Sequence, residues 1–131
     1  MSCYHEIAAV LDPLRKRGLR IAVDDVGAGY ASFSHVLGLR PDVIKIDRSL
    51  VVDIDKDLAR RSFVTAIVLL AIDLRARVTA EGVERPEELT ALAVLGVDQA
   101  QGYLLCRPTL DTDQWKRWPQ NEWATARQAL A

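Results

Sequence analysis

Asp24 and Asp25 stand side by side at the end of an apolar run, "IAVDDVGAGY" (residues 21–30), and this pair of adjacent carboxylates is the first candidate for chemistry in the chain. Asp and Gly are also ordinary residues of turns, so the pair gains meaning only from what the rest of the chain brings beside it. A second apolar run ends in Lys45 and Asp47, with Arg48 after it; a third ends in Glu81, with Glu84 three residues on; a fourth contains Gln101 ahead of Gly102. Laid side by side as parallel strands, these runs deliver all of the polar groups to one end of a sheet. That carboxyl end is where parallel α/β proteins bind ligands and carry out catalysis. Carboxylates gathered there repel by roughly 4 kcal/mol per pair at about 4 Å and an effective dielectric near 20. They therefore need a counter-charge, either Lys45 or, more effectively, one or two divalent cations. An all-oxygen ligand set selects Mg²⁺, Mn²⁺ or Ca²⁺ over zinc. Gly27 and Gly29 allow positive φ and close backbone approach directly after the acidic pair, and a loop of exposed N–H groups beside a cation suits a phosphate.

The elements that must position these groups are readable from periodicity. Four β-branched or aliphatic runs bounded by turn residues predict strands at 19–24, 42–47, 76–81 and 100–105. Tyr4, Ile7, Leu11 and Leu14 recur at helical spacing ahead of Gly18, with Pro13 set to kink or restart that helix. Further helices are expected over 30–38, 57–75 and from Pro86 to Leu95, where Pro86 suits a first turn and Gly96 a stop. A last amphipathic piece is expected near 112–118, carrying Trp115 and Trp118. The alternation of helix and strand implies a parallel sheet with crossover helices. "FVTAIVLLAIDL" (63–74) is apolar nearly all round, which predicts a helix covered on more than one side, as a central core helix ahead of an oligomer interface. "DIDKDLARR" (53–61) reads most simply as a solvated helix start, acidic first and basic later as the helix dipole prefers, with a role in an interface as the alternative. Tyr30, Phe33 and Tyr103 are assigned to core packing, and Trp115, Trp118 and Trp123 to packing or an interface.

Composition narrows the class. The chain has 131 residues, half of them hydrophobic, with 17 basic and 18 acidic side chains for a net charge of −1. This is enough for one domain with its own core, and it excludes general electrostatic attraction to nucleic acid or an anionic membrane. Cys3 and Cys106 make neither a disulfide framework nor a zinc spacing, which suits the cytoplasm. His5 and His35 have no ligand partner at metal spacing. The longest apolar stretch is too short to span a bilayer.

Four motifs in order, "DDVGAGYASF", "KIDRSLV", "AEGVE" and "QGYLLCRP", resemble the second half of the EAL-domain cyclic-di-GMP phosphodiesterases from about residue 4 to 110. The resemblance implies hydrolysis of one phosphodiester bond of cyclic-di-GMP, giving linear pGpG, on a TIM-type (β/α)₈ barrel with two Mg²⁺ or Mn²⁺ ions. It implies that Asp24 bridges both metals, that Asp25 and Glu81 bind the second, and that Lys45 contacts the attacking water or the phosphate. Lys45 and Glu81 are thus the catalytic candidates. Asp47 supports Lys45, Gly27 and Gly29 face the phosphate, Glu84 and Gln101 sit behind the ligands or on the substrate side, and Pro108 lines a guanine region.

Val26, Ala28, Thr79 and Arg85 depart mildly from the family's commonest residues. The Glu-Ala-Leu tripeptide is absent, and with it the family's upstream Glu, Asn and Glu ligands. Residues 1–118 are therefore expected to form the last four βα units of an EAL domain, about half of a barrel that needs about 250 residues, followed by a tail over 119–131. A half-barrel exposes two strand edges and an apolar interior. This predicts either a piece of a longer phosphodiesterase, inactive alone, or a homo-oligomer covering its open side, a two-fold dimer being the simplest. Three rivals remain: a non-catalytic nucleotide-binding or regulatory module, a phosphoacceptor receiver domain, and an α/β domain whose polar strand ends are merely satisfied turns. The receiver ranks low because Asp24–Asp25 follow a helix and Lys45 comes too early.

Overall fold

The computed structural model describes residues 2–29 and 33–113. Helix α1 (Ser2–Arg15) runs through Pro13 to within a turn of Gly18 and leads into strand β1 (Ala22–Val26). Then follow α2 (Phe33–Leu39), β2 (Val43–Ile46), the single turn α3 (Arg48–Val51), α4 (Leu58–Leu74), β3 (Arg77–Ala80), α5 (Pro86–Val94) and β4 (Gln99–Ala100). The four strands pair in sequence order, β1-β2-β3-β4, and every pair is parallel. Sequential parallel pairing means that each crossover has the same hand and every helix falls on one face. This is the winding of a (β/α) barrel, and the chain forms about half of one.

Burial follows the pleat. Val23, Val26, Ile44, Ile46, Val78 and Ala80 point to the helical side and build the core with Val64, Ile67, Val68, Ala71, Ala91, Leu92 and Val97. The opposite face carries Asp24, Lys45, Arg77, Thr79 and Gln99, and none of the exposed large hydrophobics lies in a strand. With Ala22 and Val43 as the apolar residues beside them, the barrel interior expected to be apolar is thus a largely polar face. The same alternation that buries Ile44 and Ile46 turns Lys45 and its register partner Thr79 the other way.

Three further expectations change. The fourth strand stops at Ala100; residues 102–105 form a turn in which the Leu105 and Cys106 amides both donate to the Gly102 carbonyl at 3.1 Å. Tyr103-Leu104-Leu105 has strand composition, but the turn is held by long-range backbone contact with Val83, whose carbonyl accepts from the Leu104 amide at 3.1 Å. Helix α4 is buried along Val64, Ile67, Val68 and Ala71 only, while Leu69 and Ile72 are 60% and 65% exposed, so it is covered on one side rather than several. Phe33 and Tyr103 lie outside the core: Phe33 meets Phe63 with ring centroids 5.8 Å apart, and the Arg107 guanidinium lies over Tyr103 at 5.0 Å. Tyr30, the three tryptophans, the part of the 112–118 segment beyond residue 113 and the tail 119–131 lie outside the described residues.

Candidate metal centre

On a regular strand two adjacent aspartates would face opposite sides of the sheet. Here β1 carries a bulge between Val23 and Val26, so that Asp24 and Asp25 together oppose the single residue Lys45. The bulge puts Asp25 in the left-handed region at φ 55°, which Asp tolerates better than most residues. Val23 and Val26 thereby both stay buried, and both carboxylates are released to the same side. Gly27 and Gly29 follow at φ +114° and +89°, carrying the loop away from the pair.

Glu81 arrives from the end of β3, its amide donating to the Ile46 carbonyl at 3.0 Å. Oxygens of Asp24, Asp25 and Glu81 all lie within 4.8 Å of one another. An ion that accepts oxygens at about 2.0–2.6 Å fits among donors so spaced, and hard carboxylate oxygens are what Mg²⁺, Mn²⁺ and Ca²⁺ prefer. Lys45 enters from β2, with Nζ at 3.0 Å from Asp24 and 2.5 Å from Glu81. Hydrogen bonding to Glu81 raises its pKa, burial opposes that rise, and Asp24 adds to it, so Lys45 stays a cation. The ammonium offsets the repulsion within the cluster.

The remaining sequence candidates distribute around this cluster. Asp47 caps α3: it accepts from the Ser49 amide at 2.9 Å rather than from Lys45, and Ser49, through its side chain and then its amide, holds the Asp47 carboxyl below its usual range. Glu84 pairs with Arg48 at 2.9 Å, and the Arg48 stem lies across Gly82, where an added Cβ would come within 2.6 Å of it. Glu84 and Gln101 line one cavity with Arg48, Gly82 and Tyr103. Gln101 and Pro108 line its neighbour with Tyr103 and Arg107. Asp24, Asp25, Lys45 and Glu81 are therefore brought together, and Glu84, Gln101 and Pro108 stand beside them rather than among them.

A second acidic cluster, Asp53, Asp55 and Glu88, was not foreseen. It contradicts the reading of 53–61 as simply solvated, because the turn after α3 brings Asp53 and Asp55 onto the Arg85 guanidinium. One signal was available: Glu88 stands at the third position of the helix begun by Pro86, where a capping-box Glu reaches back to the chain entering the helix. Burial pushes the Glu88 carboxyl up, but amide donors from Glu84, Asp53 and Arg85 and the Arg85 charge outweigh it, leaving it below its ordinary 4.5. A carboxyl depressed in the folded state contributes stability that is present above its unfolded pKa and lost as pH falls through the folded one. Glu88→Gln should therefore be less stable than the parent at pH 7, and the gap should narrow below about pH 4.5. Urea midpoints at pH 7 and at low pH measure it, and a gap independent of pH would show that the Glu88 charge contributes nothing.

A parallel βα array that gathers carboxylates at the carboxyl ends of its strands defines a barrel-type domain with an acidic cluster spaced to hold a divalent metal. Residues 1–108 match the model of the EAL domain, and the chain belongs to that family. It is 37% identical over 99 residues to the cyclic di-GMP phosphodiesterase NbdA of Pseudomonas aeruginosa, covering 76% of this chain and 13% of NbdA. It is 30% identical over 122 residues to the blue light- and temperature-regulated antirepressor BluF of Escherichia coli, covering 93% of this chain and 30% of BluF. Among solved structures, the manganese and cyclic-di-GMP complex of Klebsiella pneumoniae BlrP1 superposes with a TM-score of 0.72 at 40% identity, covering 81% of this chain and 27% of BlrP1. The chain thus spans less than a third of each of these proteins.

Among the described residues no helix is long and apolar enough to cross a membrane.

Proposed function

We propose that this chain supplies the metal-carboxylate half of a cyclic-di-GMP phosphodiesterase site and that it does not turn over the dinucleotide alone. The observation that carries the reading is the convergence of Asp24, Asp25 and Glu81 within 4.8 Å, with Lys45 bridging Asp24 and Glu81. Bound Mg²⁺ or Mn²⁺ would supply an acidified water and charge neutralisation at the scissile phosphate. Asp24, Asp25 and Glu81 would hold the metals. Lys45, kept protonated, donates to a phosphate oxygen or to the attacking water. Gly27 and Gly29 keep backbone near the phosphate, and Glu84, Gln101 and Pro108 face the bases through the two adjoining cavities. Ligands from one side of a site leave coordination open, which is why turnover is expected to need a complementary half.

We also read the chain as cytoplasmic and self-associating, its β1 and β4 edges, unpaired among the described residues, being the surfaces a two-fold partner would cover. The likeness to an antirepressor favours a second reading, a regulatory module that binds nucleotide or partner without chemistry.

The test is incubation of the chain with cyclic-di-GMP in Mg²⁺ and in Mn²⁺, alongside Asp24→Asn, with calorimetric binding and light scattering on the same samples. The expected outcome is metal-dependent binding of the dinucleotide, no linear product, and a mass above the monomer's 14.6 kDa. Linear product from the wild type but not from Asp24→Asn would overturn the inactivity and mean that self-assembly completes the site. Binding without any metal requirement would favour the regulatory module.

A further inference from the structure

The loop that carries Glu81 and Glu84 is tied to the turn after α3 by a set of contacts that the proposed chemistry does not use. Glu88 is buried, and its two oxygens divide their work. Oε2 accepts from the amides of Glu84 and Arg85, each at 3.1 Å, while Oε1 accepts from the Asp53 amide at 3.1 Å and from Arg85 Nε at 3.2 Å. The rest of the Arg85 fork crosses to the other loop, with Nη2 at 3.1 Å from Asp53 and in contact with Asp55. Three carboxylates spaced like a metal site thus already surround a cation, the guanidinium. Asp53 sits at φ 56°, a conformation these contacts help to hold. Just outside the set, Arg48 on the first loop pairs with Glu84 on the second.

We infer that Arg85 and Glu88 are positioning residues: a clamp that locks the Glu81–Glu84 loop against the turn following Arg48 and so fixes the rim of the metal centre. Neither residue touches the cluster of Asp24, Asp25 and Glu81. They act through the backbone, because the amides of Glu81 and Val83 in the clamped loop reach the backbone on either side, at Ile46 in β2 and at Gln101 just past β4. A fork-shaped cation is needed for this, since a single ammonium cannot address Glu88 and both aspartates from one position.

The test uses Glu88→Gln and Arg85→Lys in the whole chain, read by amide hydrogen exchange and by Mn²⁺ titration followed by electron paramagnetic resonance. Exchange at Glu81 and Val83 should quicken by about tenfold while Ile44 and Val78 stay unchanged, as for a loop released without unfolding of the sheet. Affinity for Mn²⁺ in the folded variants should fall by about fivefold, somewhat less than the roughly 10- to 100-fold typical of groups bonded directly to metal ligands. A change confined to the amides of Asp53, Glu84 and Arg85, the direct partners, would overturn the inference, as would unchanged Mn²⁺ affinity in a folded variant. Where Glu88→Gln fails to fold, Arg85→Lys decides by the same amides. The Mn²⁺ readout rests on the metal reading of Glu81: a wild-type chain that binds no Mn²⁺ would count against that reading and leave the clamp to be decided by exchange alone.

Discussion

Asp24→Asn is expected to weaken Mn²⁺ binding by roughly 100-fold, at the upper end of what loss of a group in or beside a metal shell costs. Asp24 is the carboxylate that the bulge of β1 and the salt bridge of Lys45 both address, and its neighbour Asp25 reaches the same space only because two residues oppose one. Replacing one oxygen with an amide nitrogen removes a negative charge from a three-carboxylate set and leaves Lys45 with Glu81 as its remaining partner. The ammonium then offsets half of the charge that remains, leaving a net −1 where the wild type has −2, so a divalent ion gains less by entering. Asp25→Asn should act in the same direction and, lacking a direct bond to Lys45, should cost less. Titration with Mn²⁺ measures both. Equal affinity in wild type and Asp24→Asn would show that any metal bound lies elsewhere, and the Arg85-filled cluster of Asp53, Asp55 and Glu88 would be the first place to look.

Much of this arrangement was legible in the sequence, and the limits have physical causes. The first three strands and the helices over 58–74 and 86–94 follow from local patterns: β-branched runs, a long apolar stretch, Pro86 at a first turn, Gly96 beyond the end. The polar residues at strand ends pointed to one site because parallel strands share an end. The bulge was not legible, since nothing local distinguishes Asp24–Asp25 in a bulge from the same pair in a turn; it exists because Val23 and Val26 must both be buried. Helix α4 misled because apolar content has no direction: only packing decides that Val68 is inside while Leu69 is out. The clamp was missed for a different reason. Arg85 and Asp55 are 30 residues apart in sequence, and a charge-rich run such as 53–61 has the same composition whether it is solvated or paired across a loop.

Gly102→Ala is expected to destabilise the chain by about 3–5 kcal/mol, a large share of the roughly 5–15 kcal/mol that holds a domain folded. The cause is steric. An added Cβ would lie 2.2 Å from the Val83 carbonyl oxygen, 2.3 Å from its nitrogen and 2.8 Å from its carbonyl carbon, and all three belong to backbone that no rotamer change can move. Relief requires separating the turn at 102–105 from the loop after β3. That separation strains two bonds at about 3.1 Å, Val83 amide to Gln101 carbonyl and Leu104 amide to Val83 carbonyl, and loosens Val83, which is fully buried. Gly18→Ala is the matched control: its φ of +95° is unfavourable for alanine, but no atom lies within 4 Å of the new methyl, so its cost should stay near 1 kcal/mol. Urea unfolding of both variants separates the two effects. Near-parental stability for Gly102→Ala would mean that the two loops part at little cost and are not rigidly joined. A large loss places the segment bearing Gln101 and Pro108 on the same fixed frame as Glu81, and gives a purely geometric reason for glycine immediately after Gln101.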